Sequence, residues 1–262
     1  MLDESLQLSP RISVAPVLHG SGDFAVEVRR IQLAHEFDCL AVPLQPSFQT
    51  QLEQAIDHLP NVTTVIQEER PSFSTNDWTP NSDLSEEKTD DKRRVSYVPV
   101  DPCQPVIAAL RVAIQERTPR AFIDLETDHF ESHSIILPDP YALKRVSIER
   151  FSAAALLGIP KPPEGLPTDR IRTMVARLKE LETRYGKILF VCALADWPWI
   201  KEAYAQNLVT DEEDAEVKDA QLCSVAPNSL LFMLGELPFL TGLYEQARAE
   251  LDSDENLSVD GL

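Results

Sequence analysis

An α/β fold with a layered, mostly parallel sheet and helices on both faces is predicted by three observations. Residues 12–18 and 188–194 are short, continuous apolar runs, the pattern of strands buried on both faces. Stretches with apolar residues at helical spacing, such as 24–37, lie between such runs. From residue 12 to residue 66 the two kinds alternate as β-α-β-α-β, which calls for right-handed crossovers.

The elements follow in order. A strand at 12–18 leads through a glycine-rich turn into a helix ending near Phe37, and 39–44 is the second strand. Leu52, Ala55, Ile56 and Leu59 share one face of a helix over 48–59, and the β-branched run 62–66 is the third strand. Over 67–94 periodicity gives way to Ser, Thr, Asn, Asp, Pro and charge, a long connection for a compact domain. It is expected to be a mobile or disordered insertion, with a lid over the site as the alternative. Order returns with a strand at 95–100, a helix at 105–116 and a strand at 121–125. Helices are expected over 142–157 and 168–185, separated by the Pro- and Gly-containing stretch 159–165. A buried strand at 188–194 precedes a short helix ending at Gln206; a last strand at 221–225 and helices at 228–235 and 238–251 follow an acidic linker.

Residues 1–207 are therefore read as an α/β domain carrying the insertion 67–94, and 208–262 as an acidic linker with an α-rich C-terminal segment. Leu257 and Val259 are apolar with no element after them to pack on, so the chain is expected to be part of a longer protein.

Composition narrows the partners. With 24 basic against 43 acidic residues the net charge is -19, which repels phosphate backbones and acidic lipid surfaces, so neither nucleic acid nor membrane is an expected partner. An unknown small molecule or a protein remains. No apolar run approaches the roughly 18 residues of a membrane span, and the start Met-Leu-Asp-Glu-Ser has no export pattern. Cys39, Cys103, Cys192 and Cys223 are far apart and lack metal-ligand spacing; free thiols fit a cytoplasmic location.

The candidate site lies at the first strand end, where open α/β sheets hold ligands. His19 is followed by Gly20 and Gly22, which let a backbone approach a ligand, and Asp23 stands where the next helix opens with unpaired N–H groups. His19 can serve as base or metal ligand, and Asp23 as an orienting carboxylate or simply an N-cap. The turn lacks a Walker lysine and the third glycine of a dinucleotide fingerprint, and neither a GxSxG elbow nor an HExxH helix is present. Around the fifth strand, Asp124, Glu126, Asp128, His129, Glu131 and His133 make a divalent metal chemically reasonable, or else a solvated loop. Asp124 lies nearest the apolar run and is the favoured partner of His19, as metal ligand or catalytic carboxylate. Cys103 at a helix start would have an activated thiol, but Asp101 beside it opposes a thiolate, and a structural role is expected. Trp197 and Trp199 are expected to pack a helix start.

The layout resembles the superfamily that groups TraB/PrgY-like proteins, ChaN-like haem-binding lipoproteins and erythromycin-esterase-like enzymes, in particular an uncharacterised bacterial branch. The resemblance rests on Val17-Leu-His-Gly-Ser-Gly-Asp23, the helix to Phe37, the strand 39–44, Val95-Ser-Tyr-Val-Pro-Val-Asp101 and Arg120-Ala-Phe-Ile-Asp-Leu125, covering roughly the first half of the chain. Metalloprotease-like members carry Gly-x-x-His in the first turn, whereas Gly20-Ser-Gly-Asp23 puts aspartate there, and Val42-Pro43-Leu44 replaces a frequent glutamate. The resemblance implies metal-dependent hydrolysis, here absent or rebuilt around His19 and Asp124. Two functions follow as expectations: a metal-assisted hydrolase with sites at His19, Asp23 and Asp124, or a non-catalytic binding or regulatory module of a larger assembly. Fold analogy alone does not choose between them.

Overall fold

The computed structural model describes residues 4–70, 94–131, 135–208, 210 and 212–250. Its elements are β1 (Ile12–Val17), α1 (Gly22–Ala34), β2 (Cys39–Val42), α2 (Gln49–Ile56), β3 (Thr63–Glu68), β4 (Val95–Val100), α3 (Pro105–Gln115), β5 (Arg120–Phe122), α4 (Ile148–Leu156), α5 (Leu166–Glu182), β6 (Ile188–Ala193), α6 (Trp197–Gln206), β7 (Gln221–Ser224), α7 (Leu230–Met233) and α8 (Pro238–Glu250).

β1, β6, β2 and β5 form a parallel sheet in that order. β6 and β2 occupy its interior, and their unbroken apolar sequences Ile-Leu-Phe-Val-Cys-Ala and Cys-Leu-Ala-Val are buried at every position but Ala193. The pleat divides them cleanly. Ala15, Val17, Leu40, Val42, Leu189 and Val191 pack in one cluster with residues of α1, α2, α3 and α4. The alternate residues Ile12, Val14, Cys39, Ala41, Phe190 and Cys192 pack in a second cluster with residues of α5 and α6, where Trp197 is also buried. Pro16 lies in β1, which pairs with a strand on one side only, apart from an isolated bridge between Ser13 and Gln7; a residue without an N–H is tolerated on such an edge.

Two strands expected in the parallel sheet leave it. β3 and β4 pair antiparallel, Thr63 opposite Val100 through Glu68 opposite Val95, and β7 joins the other side of β3. The reason is connectivity: a parallel neighbour needs a long crossover, usually helical, whereas antiparallel strands can be joined by a loop, and 67–94 carries no helical period. Most of that insertion, 71–93, lies outside the described residues. Pro99 again sits on an edge strand, and Tyr97 stands 52% exposed on the open side. The segment after residue 207 thus adds a strand, β7, to this second sheet. Buried Gln67 ties the sheet to the rest, its Nε2 donating to Ser47 Oγ at 3.0 Å and to the Lys218 carbonyl at 2.7 Å.

Smaller departures have local causes. The helix expected over 142–157 splits into a 3-10 turn at Pro140–Lys144, capped by the Asp139 carboxylate accepting from Tyr141 N–H at 2.9 Å, and α4 with Ser147 as N-cap. β5 ends at Phe122, yet Ile123 and Asp124 continue beside the second strand's extension, donating to the Val42 and Leu44 carbonyls at 3.1 and 3.0 Å. Leu257 and Val259, and with them the expectation built on the chain's end, lie outside the described residues.

Candidate functional site

The turn after β1 is built as its glycines require. Gly20 adopts φ +76°, in the left-handed region that favours glycine, and its N–H donates to Gln104 Oε1 at 2.8 Å. Ser21 is the N-cap and α1 opens at Gly22, so Asp23 stands in the first turn, not at the cap. The half-buried N–H of Gly22 donates to Glu236 Oε1 at 2.9 Å. The helix N-terminus is therefore met by a carboxylate of the chain's own C-terminal segment.

That segment is seated on the turn by close backbone contact. A Cβ built on Gly235 would lie 2.3 Å from Gly20 Cα and 2.5 Å from its carbonyl oxygen, so only glycine fits. The Gly235 N–H donates to Asp101 Oδ2 at 2.8 Å, while Asp101 Oδ1 accepts from Cys103 N–H at 3.0 Å. Asp101 is fully buried. Desolvation raises its pKa against these two hydrogen bonds, and desolvation likewise raises that of Glu236, with Asp23 and Asp101 adding repulsion. Asp23 itself pairs with Lys144 at 3.0 Å in a small cavity of about 170 Å³ shared with Asp139 and Glu236.

Asp124 lies elsewhere. It is 3% exposed and gripped by Arg170 of α5, whose Nε is 3.1 Å from each carboxylate oxygen and whose Nη2 is 2.5 Å from Oδ2. Leu125 N–H also donates to Oδ1 at 2.9 Å, and Arg177 donates to the Asp124 carbonyl. The guanidinium stands where a cation would bind. β1 and β5 are opposite edges of the parallel sheet, so three strand spacings, about 14 Å, separate their ends. His19 and Asp124 follow those two ends, and the Arg170 guanidinium that grips Asp124 is also near enough for its charge to act on the His19 imidazole. Among the described residues no group of three His, Cys, Asp or Glu side chains is placed to hold a metal.

His19 keeps exposed surface at a crowded edge of the sheet. Desolvation there, and then the Arg170 charge, lower its imidazole pKa below the ordinary 6.5. A neutral imidazole at pH 7 is the consequence. Since the unfolded chain binds that proton more readily, the His19 contribution to stability is lost as pH falls below 6.5. An NMR titration is expected to place the His19 midpoint under 6.5; a midpoint at or above it contradicts this arrangement.

The remaining acidic cluster is distributed over separate partners. Ser47 donates to Glu126 through its N–H, at 2.5 Å, and its hydroxyl, at 2.8 Å, while Asp128 pairs with His129 at 2.8 Å and Arg70 at 3.3 Å. His133 lies outside the described residues. Cys103 is buried, and desolvation with the Asp101 charge pushes its thiol far up; burial similarly raises Cys39 to about 11. Neither is an activated thiol.

Sequence reading located His19, Gly20 and Gly22 in one turn but missed their partners. Arg170 sits within the expected helix 168–185 with no motif around it, and Gln104, Gly235 and Glu236 are remote in sequence from the residues they meet. A single glycine at a helix end, Gly235, was the one visible mark, and it reads equally well as a C-cap. Comparison of the chain with protein-family models, curated proteins and solved structures gave no match.

Proposed function

We propose that the chain is a non-catalytic binding or regulatory module of a larger assembly, with its strand-end turn closed by its own C-terminal segment. One observation carries this reading: the groups a hydrolase would use are already engaged internally, Asp124 by Arg170 and the α1 N-terminus by Glu236. The same C-terminal segment leaves Leu231, Phe232, Leu237 and Phe239 between 56% and 83% exposed, apolar area suited to a protein partner. A layered sheet with helices on both faces, as the two apolar clusters suggest, would serve as a rigid support for that segment. A cytoplasmic location fits the free cysteines Cys39, Cys103, Cys192 and Cys223. No helix among the described residues is long and apolar enough to cross a membrane.

The metal-assisted hydrolase is the competing reading, and metal binding separates the two, because a ligand of the folded state must raise its stability. Elemental analysis and thermal melts with zinc, manganese and magnesium are expected to give no stoichiometric metal and no saturable shift. One equivalent of metal, lost in His19→Ala, would restore the hydrolase.

A further inference from the structure

α1 leads into β2 and α3 into β5, so both helices end at the edge of the parallel sheet where its strands start, opposite to the glycine turn. Between their last turns lies a cavity of about 520 Å³, its wall including Gln32, Leu33, Phe37, Val112 and Thr118. Neither helix has a basic residue in its last turn, and no lysine or arginine lines the cavity. The two helix C-termini carry partial negative charge. Glu36 and Glu116 also line the cavity, and neither has an ion-pair partner among the described residues. Gln32 adds a third acceptor. Its Nε2 donates to the Ala109 carbonyl at 3.2 Å, which fixes the amide, and its Oε1 is buried with no hydrogen-bond partner among the described residues. A buried oxygen of this kind calls for a donor. Leu33, Phe37 and Val112 make the apolar part of the wall, with His35 edge-on to Phe37.

We propose that this cavity binds a primary ammonium ion carrying an apolar body, an alkylamine or arylalkylamine. An ammonium group has N–H donors and no acceptor, the reverse of a wall that offers Gln32 Oε1 and two carboxylates. The volume falls within the roughly 300–1,000 Å³ of small-molecule sites and far exceeds a bare ammonium group, so an apolar body fills the rest against Leu33, Phe37 and Val112. A metal ion fits less well, because among the described residues no three His, Cys, Asp or Glu side chains are grouped to hold one. The cavity shares no residue with the glycine turn or the C-terminal segment, so binding here goes beyond the module reading and does not depend on it.

The test is calorimetric titration of the full chain, at constant ionic strength, with phenethylamine, phenethyl alcohol and methylammonium. Saturable binding of phenethylamine to one site is expected. Phenethyl alcohol has the body without the charge and methylammonium the charge without the body, and each is expected to bind at least about tenfold more weakly. Glu36→Gln and Glu116→Gln in one chain, both at exposed positions, are expected to weaken amine binding about tenfold together and to leave that of the alcohol unchanged. Gln32→Leu removes the unpartnered oxygen and is expected to weaken amine binding severalfold. Absence of saturable amine binding, equal binding of the amine and either control, or wild-type amine affinity in the folded double glutamine variant overturns the proposal.

Discussion

Asp124→Ala is expected to destabilise the fold by about 3 kcal/mol, the cost of leaving one member of a buried ion pair without its partner. The Asp124 side chain is 4% exposed and that of Arg170 17%, so little water is available to solvate the stranded guanidinium. The loss extends beyond the pair. The carboxylate also accepts from the Leu125 N–H, which is left without it, whereas the backbone carbonyl of residue 124 keeps its bond from Arg177, which in turn pairs with Asp214. These contacts fasten α5 and the 212–220 stretch to the end of β5. His19→Ala, at an exposed residue, is expected to cost less than about 1 kcal/mol. Urea unfolding of the two variants measures the contrast directly. A double change, Asp124→Leu with Arg170→Met, is expected to recover most of the loss, because apolar replacement of a whole buried pair is often neutral. If Asp124→Ala unfolds like wild type, the carboxylate is free for chemistry and the hydrolase reading gains.

The same residue shows how far the sequence could be read. The strands 12–18, 39–44 and 188–194 were legible because residues buried at successive positions write a continuous apolar run. Helices such as α3 were legible because Pro105 opens them and one face repeats. The sheet to which 62–66 and 95–100 belong was not legible, since a strand's apolar pattern records its burial and leaves its partner open. At the site, the sequence marked residue types and local turns, so His19 and Gly20 were found. It could not show that β6 inserts between β1 and β2, which moves β5 and Asp124 to the far edge. Nor could it show that Arg170, some forty-six positions away, would claim the carboxylate. Sequence separation hides these contacts because each depends on the packing of several elements at once.

Gly235→Ala is expected to release the C-terminal segment from the turn while the parallel sheet stays folded. The added methyl would overlap backbone atoms of Gly20, which no side-chain rotation can relieve, so the two strands of chain must separate. Separation breaks the Gly235 hydrogen bond to Asp101 and the Glu236 hydrogen bond to Gly22, each worth about 1–3 kcal/mol for a charged acceptor. Hydrogen exchange reads the result residue by residue. The amides of Gly22 and Gly235 are expected to lose protection together, whereas those of β6 keep theirs. The contact also has a pH dependence of fixed sign. Asp101 and Glu236 both have raised pKa values in the folded chain, chiefly by desolvation, with Asp23 and Glu245 adding repulsion, and the Lys144 charge and the N–H donors opposing it. The docked state therefore holds these protons more tightly than the unfolded chain, and its stability falls as pH rises from the ordinary values, 3.8 and 4.5, through the raised ones. In wild type, protection of Gly235 should weaken over that rise, and Asp101→Asn should flatten its part of the dependence. Unchanged protection of Gly22 and Gly235 in Gly235→Ala would mean that the segment does not close the turn, and the regulatory reading would lose its physical basis.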